Sequence, residues 1–418
     1  MVQPLQIIGR VMRSVRQKDD EIKQHQYYVG WLPRHAAENL IKIDGQFLVR
    51  QTLEHSGDKK FILTLRHAEH YHHYIFQYDR NGYFLDCNEV SKDSIHNLIE
   101  YYVLSQVGIG ADGAKLRKPF IRPYYFYSKE QIDIKKVIGK GAFGKAKHAV
   151  LHTDKSIDCV VKVMTFESSE IDKEVEIMLQ LNHPNILSAI GLVFDTQPIW
   201  LITEYAPKGS LKSYLVKSST QEVPQVLLSK FSIDAAKGLE YLAAKKHHSY
   251  HSPPQPICFH CDRVPYNSTF QVIHGDIAAR NCLIGHNSQL KISDFGLSYY
   301  GYRTIRLDVL DHAPVKWLAP EVIEKHELSS KSDVWAYGVL LWEIFSRCET
   351  EPYPDLSHQE AIEKACNCDP PMEAPFETPR VFARIMNRCF RKNPESRITA
   401  TEIVRICNKE CGSFSKWF

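Results

Sequence analysis

Three glycines constrain the fold of this chain most, because they lie between two strand patterns rather than between a strand and a helix. The segment IDIKKVIGKGAFGKAKHAV, residues 132–150, contains Gly139, Gly141 and Gly144 in the spacing G-x-G-x-x-G. In a dinucleotide-binding fold the same motif follows a strand and opens a helix. Here Lys145 to His148 follow the motif and lead into apolar Val150 and Leu151, which indicates a second strand rather than a helix. The segment therefore predicts a β-hairpin whose glycine turn lies close over phosphate groups.

A second cluster of polar residues lies in HGDIAARN, residues 274–281, directly after an apolar pair. Asp276 can accept or orient a hydroxyl proton, and Asn281 follows in the same segment. The triplet Asp294-Phe295-Gly296 begins thirteen residues after Asn281. Amide and carboxylate oxygens are ligands that Mg²⁺ accepts, so Asn281 and Asp294 are predicted to hold that ion. The three side chains together predict a site for phosphoryl transfer.

Lys162 stands in the apolar strand pattern CVVKVM, where its ammonium group needs an anionic partner. The alternative interpretation is a lysine on an edge strand that extends its ammonium group to water. Twelve residues later, Glu174 lies on a predicted helix, on the same side as Met178 and Leu181. An inward-facing Glu174 is expected to pair with Lys162 and hold it against the α- and β-phosphates.

Further motifs follow in order, including Ala319-Pro320-Glu321, the buried helix SDVWAYGVLLWEI, and Arg397 as a partner for Glu321. Together with the glycine hairpin, Lys162 and the acidic residues, this order resembles a protein kinase over roughly residues 132–407.

The resemblance implies a bilobal domain that uses ATP and Mg²⁺. The catalytic residues that it implies are Asp276, Arg280, Lys162 and Glu174, and the metal ligands are Asn281 and Asp294. The residues that it implies for nucleotide binding are Ile138, Gly139, Lys140, Gly141, Ala142, Phe143, Gly144, Lys145, Ala146, Lys162, Thr203, Glu204 and Ala206. Among these, Thr203 is expected behind the adenine, with Glu204 to Ala206 offering backbone hydrogen bonds to it.

Finer features resemble the tyrosine-kinase class. Arg280 lies two residues from the position at which serine/threonine kinases usually carry lysine. The segment Pro314-Val315-Lys316-Trp317 resembles the shelf that receives a phenol ring in tyrosine kinases. The implied function is therefore a non-receptor protein-tyrosine kinase, and a serine/threonine kinase is the least favoured alternative.

Gly275 departs from the H-R-D pattern of protein kinases, in which an arginine occupies its position. In the family that arginine pairs with a phosphorylated residue on the activation loop. Glycine removes this cation and predicts a looser backbone beside Asp276. Because Asp276 and the other charged groups remain, we expect an active kinase with altered control. The alternative is a phosphotyrosine-binding adaptor with an inactive kinase domain.

Arg50 ends an apolar strand pattern, where a charge is costly unless it is paired or points into solvent. The segments YYVG, GQFLVRQT and HHY, in this order over residues 27–105, resemble an SH2 domain. The resemblance implies an α+β sandwich, with a central antiparallel sheet flanked by two helices. It also implies that Arg50 grips the phosphate of phosphotyrosine, assisted by Arg34 and Thr52, while His73 lines the pocket. The alternative is a domain that keeps the SH2 fold but does not bind phosphotyrosine.

The predicted organisation is an SH2 domain at 27–120, a linker at 121–131, and a kinase domain at 132–407 with an insertion at about 245–271. An SH2 domain directly before a tyrosine kinase is most similar to the Fps/Fes/Fer branch. The expected partners are phosphotyrosine-containing proteins and protein substrates with tyrosine. Peripheral recruitment to membranes through such partners is also expected.

Composition narrows the remaining classes. A net charge of +3 and a sequence pI near 8.2 are too mild to imply nucleic-acid binding. Apolar runs are too short for a transmembrane segment. Eleven cysteines without framework spacing predict a reducing, cytoplasmic location.

Two segments leave open questions. The insertion contains Cys258, His260 and Cys261, which allow a zinc site, although its prolines favour an irregular loop. The activation loop contains Tyr302, which is predicted to be autophosphorylated with a weak activating effect because Gly275 replaces the arginine partner.

Overall fold

Five strands near the start of the chain form one sheet in this computed structural model. The strands are β1 (Gln46–Leu53), β2 (Lys59–His67), β3 (His70–Asp79), β4 (Gly82–Leu85) and β5 (Lys118–Pro119). Their spatial order is β4-β3-β2-β1-β5, and only the β1–β5 pairing is parallel. The structure describes residues 21–53, 58–85, 90–141, 144–164, 170–244, 271–301, 304–307, 314–367 and 370–411.

Two helices accompany this sheet, α1 (Arg34–Leu40) and α2 (Ile95–Ser105). Helix α2 begins where the Ser94 side chain accepts a hydrogen bond from the backbone N–H of Asn97, and it ends at Gln106 in the left-handed conformation. Its apolar stripe is buried in the core of the sheet, at Ile95, Leu98, Ile99 and Tyr102. The predicted combination of one sheet and two helices is confirmed, and β3 and β4 form a hairpin that turns between Asp79 and Gly82.

A second sheet has six strands in the order β6-β10-β11-β9-β8-β7. These are β6 (Phe126–Tyr127), β7 (Ile132–Gly141), β8 (Gly144–His152), β9 (Ser156–Met164), β10 (Ala189–Val193) and β11 (Trp200–Glu204). Strands β7 and β8 pair antiparallel up to Gly141 opposite Gly144, so the predicted glycine hairpin is confirmed. The segment predicted as a linker, 121–131, contributes β6 to this sheet, a pairing that the sequence pattern did not indicate.

The remainder of the chain is mainly helical, which matches the predicted bilobal kinase architecture. Its helices in the described residues are α3 (Glu170–Gln180), α4 (Leu211–Lys217), α5 (Gln225–Ala244), α6 (Pro320–Lys325), α7 (Ser330–Phe345), α8 (His358–Asn367), α9 (Arg380–Cys389) and α10 (Ala400–Cys411). Short strand pairs lie among them, formed by β12 (Gln271–Ile273), β13 (Cys282–Ile284), β14 (Leu290–Ile292), β15 (Tyr299–Gly301), β16 (Thr304–Arg306) and β17 (Glu327–Ser329).

The chain divides into two compact units that do not coincide with the predicted domains. One unit comprises 1–167 and 190–202, and therefore holds both larger sheets apart from the ends of β10 and β11. The other comprises 168–189 and 203–418, which carry α3 to α10.

Phe194, in the loop after β10, joins the two sheets of the first unit. Its side chain is 5% exposed and belongs to the core of the five-stranded sheet. The Arg122 guanidinium lies 4.1 Å from the ring centroid, and the Tyr28 ring meets it edge-on at 6.0 Å. The backbone oxygen of Phe194 accepts a 3.0 Å hydrogen bond from the Trp31 N–H. Because Tyr28, Trp31 and Arg122 precede β7 whereas Phe194 follows β10, the two sheets share one contact region around Phe194.

Gly30 permits this close approach. Its φ of +68° is left-handed, and a Cβ atom there would lie 1.8 Å from the backbone oxygen of Phe194. No side chain fits at that distance, so glycine is required by the packing as well as by the backbone conformation.

We expect Phe194→Ala to lower the free energy of unfolding by about 3–5 kcal/mol, because it removes a buried ring and leaves a cavity. Urea unfolding of the full chain, followed by tryptophan fluorescence, measures the change. Phe376→Ala is the matched control, since the Phe376 side chain is fully exposed and its loss should change stability little. Equal destabilisation by both substitutions would contradict the role assigned to Phe194.

Candidate active site and anion pocket

Asp276 lies at the centre of a hydrogen-bonded cluster in the loop after β12. Its two carboxylate oxygens bind different partners: Oδ1 accepts from Arg280 Nη2 at 2.5 Å, and Oδ2 accepts from Asn281 Nδ2 at 2.6 Å. The same Asn281 amide also donates to the backbone oxygen of Asp276 at 2.9 Å. The Asp276 side chain is 15% exposed. The carboxylate is thus fixed in orientation while one edge remains open to a hydroxyl group.

The Asn281 amide also fits the predicted metal ligand. With Nδ2 donating to Asp276, the carbonyl oxygen Oδ1 is the part of this side chain left to bind a cation. Asp294 follows the short strand β14, and its φ of +67° is left-handed. Ser293, the neighbour of Asp294, links this segment to Asn281. Its N–H and its hydroxyl both donate to the Asn281 backbone oxygen at 2.8 Å.

His274 supports this loop from within the core. Its Nε2–H donates to the Ser293 backbone oxygen at 3.1 Å, and its Nδ1 accepts from the Asp276 N–H at 3.2 Å. This pattern requires a neutral ring, and burial lowers the pKa of His274 accordingly. The buried Phe295 ring packs edge-on against His274 at 4.9 Å. His274 therefore contacts both the loop that carries Asp276 and the segment that leads to Asp294, the predicted metal ligand.

Asp333, on α7, anchors the start of the loop. Its two oxygens accept from the backbone N–H groups of His274 at 2.7 Å and Gly275 at 2.9 Å. Burial raises the pKa of Asp333 to about 7, and these two N–H groups oppose that rise. The carboxylate is 2% exposed, so the two hydrogen bonds supply the partners that its charge needs.

Gly275 is held rather than loose, contrary to the expectation that glycine loosens the backbone beside Asp276. Its φ of +78° is left-handed, and a Cβ atom there would lie 2.6 Å from the backbone oxygen of Leu297. A side chain at this position would strain the backbone, whereas glycine adopts the conformation readily. Glycine at position 275 therefore lacks the cation of the family pattern but avoids backbone strain beside Asp276.

Arg280 and the shelf predicted from Pro314 to Trp317 meet in the structure. The Arg280 guanidinium lies 4.3 Å from the centroid of the Trp317 ring. Trp317 Nε1 in turn donates to Glu343 Oε2 at 3.1 Å, and the same oxygen accepts from the Ala279 N–H at 2.9 Å. Glu343 is 3% exposed, and burial raises its pKa against these two hydrogen bonds. Arg280 therefore contacts both the Asp276 carboxylate and the Trp317 ring.

The residues predicted behind the adenine lie in and after β11. Thr203 is 5% exposed, and Ala206 is buried. Glu204 Oε1 accepts from the Ser188 N–H at 2.7 Å and forms an ion pair with Lys291 Nζ at 3.0 Å. Because Lys291 lies on β14, this pair fixes Glu204 relative to the strand that precedes Asp294.

The other predicted nucleotide-binding residues lie on the glycine hairpin and its neighbour. Lys162 lies on β9 directly opposite Ala146 in the β8–β9 pairing, and Lys145 lies opposite Lys140 in the hairpin. Glu174, on α3, is 2% exposed, which agrees with its predicted inward orientation. Ala142 and Phe143 lie outside the described residues, as do Tyr302 and positions 245–270 of the insertion. Within the described residues, no cluster of three or more metal-binding side chains occurs.

The predicted anion pocket gathers on one face of the five-stranded sheet. Arg50 is 6% exposed on β1, and Thr52 lies two residues further along the same strand. His73 lies on β3 with a side chain 13% exposed. Arg34 begins α1, and its side chain is 67% exposed. A buried arginine beside an exposed one can bind a dianion with two forks of N–H donors.

Sequence reasoning missed two side chains of this pocket and two of the active site. Glu38 accepts from Arg34 Nε at 2.9 Å and from His73 Nε2 at 2.9 Å. Thr64 accepts from Arg50 Nε at 3.3 Å. A sequence signal exists for the two acids of α7, Asp333 and Glu343, because a carboxylate within an apolar helix pattern needs a buried partner.

We expect Gly275→Ala to destabilise the chain by about 1–2 kcal/mol, because an L-residue there is forced into the left-handed conformation. Thermal unfolding of both proteins measures the difference. Gly285→Ala is the matched control, since Gly285 has a φ of −82° and a Cβ atom there would meet its nearest neighbour at 3.4 Å. Equal stability of the two variants would show that position 275 tolerates a side chain.

Two family models match the chain. The protein tyrosine and serine/threonine kinase family matches residues 132–251 and 260–407, and the SH2 domain matches residues 27–102. The described residues contain no helix that is long and apolar enough to cross a membrane.

Relatives match across both domains. Fer-related kinase 1 of Caenorhabditis elegans is 32% identical over 395 residues, which cover 92% of this chain and 93% of that protein. Human tyrosine-protein kinase Fer is 32% identical over 94% of this chain and 44% of its own length. The transforming protein Fps of Fujinami sarcoma virus is 32% identical over 90% of this chain and 40% of its own length. The chain thus spans under half the length of the last two relatives. The chain belongs to the protein tyrosine and serine/threonine kinase family, among the tyrosine kinases in which an SH2 domain precedes the kinase domain.

Proposed function

We propose that this chain transfers the γ-phosphoryl group of ATP to tyrosine side chains of protein substrates, with Mg²⁺ as the metal ion. The single observation that carries the choice of tyrosine is the contact between Arg280 and Trp317, which joins Asp276 to the shelf at Pro314 to Trp317. The long, planar phenol of tyrosine needs a supporting surface near Asp276, whereas the short hydroxyl of serine does not.

Each residue of the loop has a distinct role in this proposal. Asp276 accepts a hydrogen bond from the phenolic hydroxyl and orients its oxygen for attack. Arg280 and Asn281 hold the Asp276 carboxylate in place by charge-assisted hydrogen bonds. Asn281 Oδ1 and the Asp294 carboxylate would hold Mg²⁺, which neutralises phosphate charge when bound. Lys162 is proposed to bind the α- and β-phosphates beneath the glycine hairpin.

Gly275 affects control rather than chemistry in this proposal. The proposed catalytic residue Asp276 is hydrogen-bonded to Arg280 and Asn281, and the backbone of Asn281 is bonded to Ser293 beside Asp294. An inactive kinase would be expected to lack one of them, and neither the structure nor the relatives favour that alternative. Without an arginine at position 275, phosphorylation of the activation loop at Tyr302 is proposed to activate the enzyme only weakly.

We further propose that Arg50, Arg34, Thr52 and His73 bind phosphotyrosine and so direct the kinase to phosphorylated partners. Holding one phosphotyrosine raises the local concentration of neighbouring tyrosines at the active site. Any association with membranes is proposed to occur through such partners. The cytoplasm is the proposed location, because six buried cysteines of the described chain are free thiols, which suits a reducing compartment.

Asp276→Asn is expected to lower kcat by about 10²–10⁴-fold while leaving phosphopeptide binding unchanged. Phosphate transfer from Mg-ATP to a tyrosine-containing polymer, and fluorescence polarisation of a phosphotyrosine peptide, give the two readouts. Asp154→Asn, at an exposed position, is the matched control for activity. A fully active Asp276→Asn protein would rule out the assigned catalytic residue.

Arg50→Ala should weaken binding of the phosphotyrosine peptide about 100-fold, because two charge-assisted hydrogen bonds to phosphate are lost. Phosphorylation of the tyrosine-containing polymer should be retained. Arg80→Ala, at the exposed β3–β4 turn, serves as its control. Unchanged peptide affinity of Arg50→Ala would exclude this pocket as the phosphotyrosine site.

The choice between acceptors is tested by matched peptides that differ only in tyrosine or serine. We expect phosphate transfer to the tyrosine peptide and little to the serine peptide. Comparable rates would favour the serine/threonine alternative.

A further inference from the structure

The five-stranded sheet holds an unbroken chain of hydrogen bonds that leads from Glu38 to Arg50. Glu38 Oε1 lies 2.9 Å from His73 Nε2, and His73 Nδ1 lies 3.1 Å from Thr64 Oγ1. Thr64 Oγ1 then lies 3.3 Å from Arg50 Nε. Thr64 is fully buried and stands directly opposite His73 in the β2–β3 pairing. We call these four side chains the Glu38 relay.

The direction of each hydrogen bond in the relay follows from chemistry. Burial raises the pKa of Glu38, but the hydrogen bonds from Arg34 and His73 outweigh this effect, so the pKa is lowered. The Glu38 carboxylate is therefore ionised and can only accept hydrogen bonds. His73 Nε2 therefore carries the ring proton.

The second half of the relay follows from the neutral state of His73. Burial lowers the pKa of His73, and the nearby Arg34 and Arg50 lower it further, against the opposing effect of Glu38. A neutral ring with a proton on Nε2 has an acceptor at Nδ1. The single Thr64 hydroxyl proton is then donated to Nδ1, which leaves the Thr64 oxygen to accept from Arg50 Nε.

The consequence for Arg50 is orientation. A guanidinium group is planar and presents its five N–H donors in a fixed fork. Once Nε–H is directed at Thr64, the plane of the group is set, and the end-on pair of N–H donors on the two terminal nitrogens points at a wide angle away from Thr64. Among the described residues, Thr64 is the one side chain that accepts from Arg50. The terminal pair is thus available for two phosphate oxygens.

We propose that Glu38 is a positioning residue of the phosphotyrosine pocket, acting through His73 and Thr64 to fix the guanidinium plane of Arg50. This inference rests on the proposed phosphotyrosine-binding function of the pocket. Phosphate binding requires the hydrogen-bond acceptor of Glu38 and not its charge, since a negative charge beside the pocket repels a phosphate dianion.

Two substitutions separate the acceptor from the charge. Glu38→Gln keeps an oxygen acceptor without the charge, and its affinity for a phosphotyrosine peptide is expected to stay within about threefold of the unsubstituted chain. Glu38→Ala removes the acceptor, and the expected loss is about tenfold, the effect of one hydrogen bond to a charged network. Glu100→Ala, at an exposed position on α2, is the control and should bind normally.

The tautomer of His73 gives a readout that a merely structural role would not change. Nitrogen NMR of the full chain labelled with [¹⁵N]histidine, with the His73 signal assigned by its loss in His73→Gln, reports which ring nitrogen carries the proton. We expect the Nε2–H form in the unsubstituted chain and in Glu38→Gln, and a mixture of tautomers in Glu38→Ala. Thermal unfolding checks that each variant is folded.

The outcomes are distinct. Tighter binding by Glu38→Ala would overturn the proposal, because it would mean that Glu38 competes with phosphate for Arg34. Equal weakening by both substitutions would also overturn it, since charge rather than the acceptor would then matter. If the unsubstituted chain fails to bind phosphopeptide, the proposed function of the pocket fails, whereas the His73 tautomer in the free protein still decides whether the relay exists.

Discussion

Two buried carboxylates on one helix hold the loop that carries Asp276. Asp333 accepts from the backbone N–H groups of His274 and Gly275, and Glu343 accepts from that of Ala279 and from the Trp317 indole. The two acids are ten residues apart on α7, or about 15 Å along its axis at 1.5 Å per residue. Because an α-helix is rigid over this length, it fixes both ends of the segment that carries Asp276. The positions of the acid, its arginine and the shelf all depend on these contacts.

The anchoring by Asp333 also explains the glycine at position 275. In the sequence alone, a glycine in place of the arginine of the motif suggests lost function. In the structure the residue has a left-handed backbone, its N–H is bonded to Asp333, and a Cβ atom would collide with Leu297. Glycine therefore suits the geometry of the loop, and its cost is confined to the missing cation. The hydrogen bonds that hold Asp276 do not depend on a side chain at position 275.

The anion pocket depends on a similar principle, in which buried polar groups are oriented by partners outside the motif. Arg50 is recognisable because a charge stands in an apolar strand, but its direction is set by Thr64, His73 and Glu38. Phe194 adds a further connection, since it places a residue from the loop after β10 in the core of the five-stranded sheet. The pocket and the nucleotide-binding hairpin consequently belong to one compact unit.

The sequence by itself determined the kinds of elements and the chemistry of the sites. Glycine spacing between two strand patterns specified the hairpin, charges in apolar strand patterns marked Lys162 and Arg50, and helical periodicity marked Glu174, because such local signals depend on neighbours in the chain. Only the tertiary structure decided which distant groups orient them. His274 and Asp333 are 59 residues apart, and Glu38 and His73 are 35 apart. The strand Phe126–Tyr127 pairs with β10 for the same reason, since long-range pairing is chosen by packing and leaves no periodic trace in so short a segment.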